Sequence, residues 1–156
     1  FRGVVTISNT SLTKVLVVIT DVKNYPVNFP NCSGAEVLEQ KGKYNDIHYI
    51  IIKAPWPVTD RDAIYEASTT FSQNGKHAFM KLSPLGHYRQ ENKGFIRVHN
   101  GSGFWDLEEI APGLIQVVYQ FHAYPACEIP AWLANSVIVS NPLKTLESLR
   151  LIAMKM

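Results

Sequence analysis

Positions 1–8 alternate apolar with polar residues, as a half-buried strand requires, and the spacing then changes. After Asn9-Thr10-Ser11, residues Leu12, Val15, Leu16, Ile19 and Val22 recur at three and four, which predicts a helix opened by a polar cap. The β-branched run Val15-Leu16-Val17-Val18-Ile19 favours a strand by propensity, but periodicity and cap together outweigh it. Pro26 and Pro30 then break the chain twice, because proline lacks a donor and biases its predecessor away from helix. From there the texture is strand and turn, over 35–40, 45–53, 63–72, 77–82, 95–99, 103–110 and 114–124. Asn74-Gly75 predicts a two-residue hairpin turn, and Ala111-Pro112-Gly113 a second turn between adjacent strands. The last stretch, 130–156, returns to helical spacing through Ile138, Val139, Leu146, Leu149, Ile152 and Ala153. If continuous it would be on the order of 35 to 40 Å long, with a bend or break expected at Asn141-Pro142.

A helix placed after all the strands must find its apolar partner on the sheet already built. The predicted class is therefore α+β: an antiparallel meander closed on one face by a C-terminal helix, in one domain covering 1–156. The strand faces are large and apolar. One strand presents Ala63, Tyr65, Ala67, Thr69 and Phe71, a second Trp105 and Leu107, and the last Val117, Tyr119 and Phe121. Their neighbours Glu66, Ser68, Gln116 and Gln120 are polar, which is how a half-buried sheet is written. The same faces suit either a filled core or a cavity.

Composition adds exclusions. The chain is 46% hydrophobic with a formal charge of +2 and no basic run, so nothing forms the electrostatic stripe a nucleic acid would need. Its longest apolar run, residues 15–19, is far short of the roughly 20 residues that span a bilayer, and a soluble domain is expected. Cys32 and Cys127 lack CxxC spacing and are expected as free thiols. The chain begins at Phe1 rather than Met, so an upstream piece is expected and the compartment, cytoplasmic or exported, stays open. His48, His77, His87, His99 and His122 show no metal-ligand spacing. His48 alternates with Ile50 and Ile52 and so is placed to face an apolar interior. Asp60-Arg61-Asp62 is read as a loop fixed by ion pairs, and Asp106 and Glu108 as water-facing. Neither a Gly-x-Ser-x-Gly elbow nor a glycine-rich phosphate loop occurs.

Four stretches carry a family resemblance: Trp56-Pro57-Val58-Thr59-Asp60-Arg61-Asp62, Gly94-Phe95-Ile96-Arg97-Val98, Gly103-Phe104-Trp105, and Ile129-Pro130-Ala131-Trp132-Leu133-Ala134-Asn135. In this order, with the helix last, the chain resembles the START domains, the steroidogenic-acute-regulatory-protein-related lipid-transfer family, in their bacterial branch of the Bet v 1-like helix-grip superfamily. The resemblance implies a curved antiparallel sheet wrapped around a long C-terminal helix, enclosing a hydrophobic tunnel. It implies a non-catalytic monomer without a cofactor, whose partner is a lipid or other hydrophobic small molecule, with transient membrane contact. Carried over by position, the tunnel lining would be Tyr65, Ala67, Phe71, Trp105, Leu107, Val117, Tyr119 and Phe121 from the strands, with Ile138, Val139, Thr145, Leu146 and Leu149 from the helix. Sterol-binding members place a buried acid and base near positions held here by His48 and Ala67. That departure speaks against a sterol and for a guest held by apolar contact, with His48, Tyr65, Thr69 or Tyr119 meeting one polar head. The alternative is an enzyme resembling the aromatase/cyclase relatives, acting on a polyketide-like substrate through His48 with Tyr65 or Tyr119.

Overall fold

In the computed structural model, which describes residues 1–123 and 140–156, Ser11 sets the start of the first helix. Its side chain accepts a hydrogen bond from Lys14 N at 3.2 Å, satisfying one of the amides that a helix start leaves bare. Helix α1 (Leu12–Thr20) follows, with Leu12, Val15, Leu16 and Ile19 buried. Periodicity thus prevails over β-branched propensity, because the apolar face has a sheet to bury against. Ser11→Ala is expected to cost about 1 kcal/mol, read as a lower urea midpoint at unchanged m-value. Val22, at the end of the predicted periodicity, belongs instead to a 3-10 turn (Val22–Asn24). Next comes the single-turn helix α2 (Tyr25–Asn28), with Pro26 in its first turn.

The strands are β1 (Arg2–Ile7), β2 (Cys32–Gly42), β3 (Asn45–Ile52), β4 (Arg61–Phe71), β5 (His77–Pro84), β6 (Ile96–Val98), β7 (Gly101–Ala111) and β8 (Leu114–Ala123). They form one eight-stranded sheet in the order β1-β8-β7-β5-β4-β3-β2, with β6 attached to β4. All pairings are antiparallel except that of β6, which runs parallel to the start of β4 and breaks the expected simple meander. The cause is a buried ion pair. Arg97 on β6 donates from Nε to Asp62 Oδ1 at 2.8 Å and from Nη2 to Oδ2 at 3.2 Å, and both side chains are at most 1% exposed. Arg97 Nη1 also donates to the carbonyls of Gly86 and Arg89, and Tyr49 Oη to Asp62 Oδ2. The 85–98 segment is thereby drawn across β4, and β7 pairs directly with β5.

Two turns differ in how the sequence specifies them. Ala111 pairs with Leu114 across Pro112-Gly113, and Gly113 takes a φ of +74°, a left-handed conformation that glycine adopts without a Cβ penalty. At Asn74-Gly75 the loop is longer than the two residues expected. Ser72 N donates to His77 O, and Asn74 Oδ1 accepts from Ser72 Oγ and Lys76 N, so the loop is held by side-chain bonds.

Helix α3 (Asn141–Lys155) carries Pro142 in its first turn, a position proline tolerates, and the bend or break expected at Asn141-Pro142 turns on the residues before 140, which lie outside the described ones. The earlier part of the predicted helix, with Ile138, Val139 and the 129–135 motif, lies outside the described residues. Leu146, Leu149 and Ala153 bury the inward face of α3 with α1, Ile7, Trp105, Leu107 and Val117. The approach to β1 is close enough that a Cβ at Gly3 would lie 2.4 Å from Leu146 Cδ1. A smaller cluster of Ile47, Tyr49 and Ile64 packs with Leu85. Among the described residues no helix is long and apolar enough to cross a membrane.

Candidate functional site

The main cluster does not fill the sheet from end to end. Beside it a cavity of about 220 Å³ remains. Its walls come from His48, Ile50 and Ile52 on β3, Tyr65 on β4, Leu82 on β5, Trp105 on β7 and Tyr119 and Phe121 on β8. Among the described residues the lining also includes Phe1, Tyr25 on α2, Phe29 and Asn31 after it, Cys32 at the start of β2, and Asn141, Pro142 and Thr145 from the start of α3.

Aromatic rings dominate this lining because cross-strand neighbours share a face. Trp105 lies opposite Tyr119 in the ladder, and their rings stack at 3.8 Å between centroids. Phe1 meets Tyr119 edge-on, as Phe121 meets Tyr65. On the other side Tyr25 and Phe29, four residues apart across α2, pack edge to face, and Tyr25 is anchored by donating to the Ile19 carbonyl. Burial pushes the Tyr65 and Tyr119 phenols up, Tyr119 to about 12, so both hydroxyls keep their protons at neutral pH. Burial also raises the Cys32 thiol, which remains a free and poorly nucleophilic SH.

Among the described residues, His48 in the wall forms an acid–base pair with Asp46 behind it. His48 and Asp46, two apart on β3 and so on one face, approach at 2.8 Å between Nδ1 and Oδ1, with side chains 4% and 13% exposed. Against an ionised carboxylate, which can only accept, Nδ1 is the donor of this bond. Asp46 itself is not among the described residues of the lining, so the pair reaches the cavity through the His48 ring. Asn31 contributes a buried Nδ2 with no hydrogen-bond partner among the described residues.

Of the residues expected to line a tunnel, the fold brings His48, Tyr65, Trp105, Tyr119, Phe121 and Thr145 to the cavity. Ala67, Leu107, Val117, Leu146 and Leu149 share their parity or helix face but are buried in the packed cluster. Thr69 is half-buried, with an Oγ1 lacking a partner, and Phe71 is 43% exposed against Tyr44. Ile138 and Val139 lie outside the described residues. Parity selects a face of the sheet, while position along the strand decides whether that face meets a helix or open space. Ile50 and Ile52 were within reach of the same alternation that singled out His48. Tyr25, Phe29, Asn31 and Cys32 were not, because they sit in the proline-broken connection, where no period operates.

No protein-family model matches the chain. Over 127 residues it is 39% identical to an uncharacterized protein of Pseudomonas aeruginosa, an alignment covering 80% of this chain and 60% of that protein, so the chain spans less than two thirds of the curated relative's length. A STAR-related lipid transfer protein of Xanthomonas axonopodis superposes with a TM-score of 0.85 at 31% identity, over 96% of this chain and 82% of that one. Human StAR-related lipid transfer protein 5 gives 0.81 at 15% identity, over 99% and 74% of the two chains. The Zhui aromatase/cyclase of a Streptomyces shares the fold at a TM-score of 0.58 and 13% identity, over 99% and 90%.

Proposed function

For a chain that belongs to the STAR-related lipid transfer (START) family, we propose that the cavity binds one lipid or other small hydrophobic molecule and shields it from water without reacting with it. The observation that carries this reading is the aromatic-walled cavity between the sheet, α2 and the first turn of α3. Burying apolar surface contributes about 0.8 kcal/mol per methylene, so a chain of moderate length is held without any charged contact. Native mass spectrometry of the purified protein, with solvent extraction, is the test. A retained hydrophobic molecule is expected, and a protein that carries none and binds none on titration would sink the proposal.

Delivery implies contact with a membrane, and one surface suits it. Trp56 is 91% exposed in the loop after β3, and Val27 is 84% exposed on α2. Both segments lead directly into cavity-lining residues, and Lys53 N bonds to Asn31 O between them. Exposed indole partitions to the membrane interface. Trp56→Ala is expected to lower binding to phosphatidylglycerol-containing vesicles several-fold in a flotation assay while leaving ligand affinity in solution unchanged.

The Asp46–His48 pair beside Tyr65 favours a second reading, an enzyme of the aromatase/cyclase kind. A cyclised product from a poly-β-ketone thioester mimic, lost in His48→Gln, would establish it. Mimic recovered unchanged would leave binding alone.

A further inference from the structure

Four buried side-chain polar atoms among the described residues have no hydrogen-bond partner: Asn31 Nδ2, Asn45 Oδ1, Thr69 Oγ1 and His99 Nδ1. Of these residues Asn31 alone lines the cavity. A buried amide donor without an acceptor is costly, and an apolar residue would wall the cavity at no such cost. The Asn31 backbone is pinned, because its carbonyl accepts from Lys53 N at 2.9 Å and the next residue, Cys32, pairs with Ile52 in the sheet. The backbone carrying the donor is therefore fixed, and no described residue supplies the buried Nδ2 with an acceptor.

The rest of the lining defines what acceptor fits. Tyr65 and Tyr119 offer neutral hydroxyls, and the lining contains neither lysine nor arginine. The sequence of 124–139 contains neither as well. The charged and basic groups at or beside the described wall are already engaged: His48 Nδ1 with Asp46, and the Phe1 ammonium with the Phe121 carbonyl at 2.8 Å. An anionic head would be desolvated there with no lysine or arginine among the described lining to receive it, and with His48 already facing Asp46, which is strongly unfavourable.

We infer that Asn31 is the specificity-determining residue of the cavity, donating from Nδ2 to the oxygen of an uncharged hydrophobic ligand that bears a carbonyl or hydroxyl group. This rests on the cavity being the ligand site. Ligands with carboxylate or phosphate heads are thereby selected against.

The test compares three probes of equal carbon count, 2-undecanone, undecane and undecanoate at pH 8, by displacement of Nile red. Two variants are used with the wild-type chain: Asn31→Leu, and Asn31→Asp, which keeps the amide's shape but presents an acceptor-only carboxylate. Both are expected to weaken 2-undecanone about five- to tenfold, the value of one hydrogen bond, and Asn31→Leu to leave undecane within twofold. Undecanoate is expected to displace Nile red at least tenfold less well than the ketone from the wild-type chain. Equal loss for ketone and alkane in Asn31→Leu, or unchanged ketone affinity in Asn31→Asp, would overturn the role of Asn31. Undecanoate binding as well as the ketone would overturn the neutral-head preference. Failure of the wild-type chain to take up Nile red and all three probes would instead remove the ligand-site reading beneath both.

Discussion

Arg97→Met is expected to lower folding stability by about 3–5 kcal/mol, the cost of leaving one member of a buried ion pair without its partner. Against a typical total of roughly 5–15 kcal/mol, that is a large share. The loss has two sources. Asp62 would stay buried with neutral partners, Tyr49 and Asn92, in place of a cation, and the Gly86 and Arg89 carbonyls would lose their donor. Because the same guanidinium holds β6 beside β4, the 85–98 segment should also become more open to proteolysis. Its pH dependence follows from Asp62. Burial pushes that carboxyl up, but hydrogen bonds from Arg97 and Tyr49 outweigh burial and hold it below the usual carboxylate range. A depressed folded pKa stabilises fully above the unfolded value of about 3.9, and the contribution disappears as pH falls through the lower folded value. Urea titrations at pH 7 and below pH 4 should therefore show the gap between wild type and variant narrowing in acid. An Asp62→Leu/Arg97→Met double variant should recover part of the loss at pH 7, since no uncompensated charge remains. A constant gap across pH would contradict this account of Asp62.

Thr145→Trp should empty the cavity. Thr145 lines it from the second turn of α3, and its hydroxyl bonds only back to the Asn141 carbonyl at 3.0 Å, a local contact whose loss costs the helix little. An indole there takes the space of about four methylenes, so at about 0.8 kcal/mol each a chain-like guest should lose about 3 kcal/mol, roughly a hundredfold in affinity. Nile red titration and native mass spectrometry should show reduced uptake in a protein whose far-UV circular dichroism is unchanged. Undiminished binding would place the ligand elsewhere. The Leu149→Ala control differs in kind: Leu149 is fully buried in the packed cluster, so its truncation should lower stability with less effect on ligand uptake.

The contrast between Thr145 and Leu149 shows how far one helix face could be read in advance. Leu149 falls on the apolar side by spacing and Thr145 was placed in the lining by the family resemblance, yet of the two Thr145 meets the cavity and Leu149 the packed cluster. The β7–β8 ladder repeats the lesson: Leu107 opposite Val117 is core, while Trp105 opposite Tyr119, one step along, is wall. Alternation specifies which way a side chain points relative to the sheet. It carries no information about how far along that sheet a helix reaches.

Local chemistry was sufficient wherever neighbours in sequence are neighbours in space. The Ser11 cap, the burial stripe of α1, the Pro112-Gly113 turn and the inward parity of Tyr65, Trp105 and Tyr119 follow from spacing, dihedral preference and apolar alternation over a few residues. The tertiary structure alone decided the parallel docking of β6, the burial of Asp46 against His48, and the inclusion of Tyr25, Phe29, Asn31 and Cys32 in the wall. Each depends on a contact that local spacing does not record: Arg97 with Asp62, and the Tyr25 ring of α2 against His48, beside which Asp46 lies. Such contacts are fixed by burial and charge compensation, which no local pattern records.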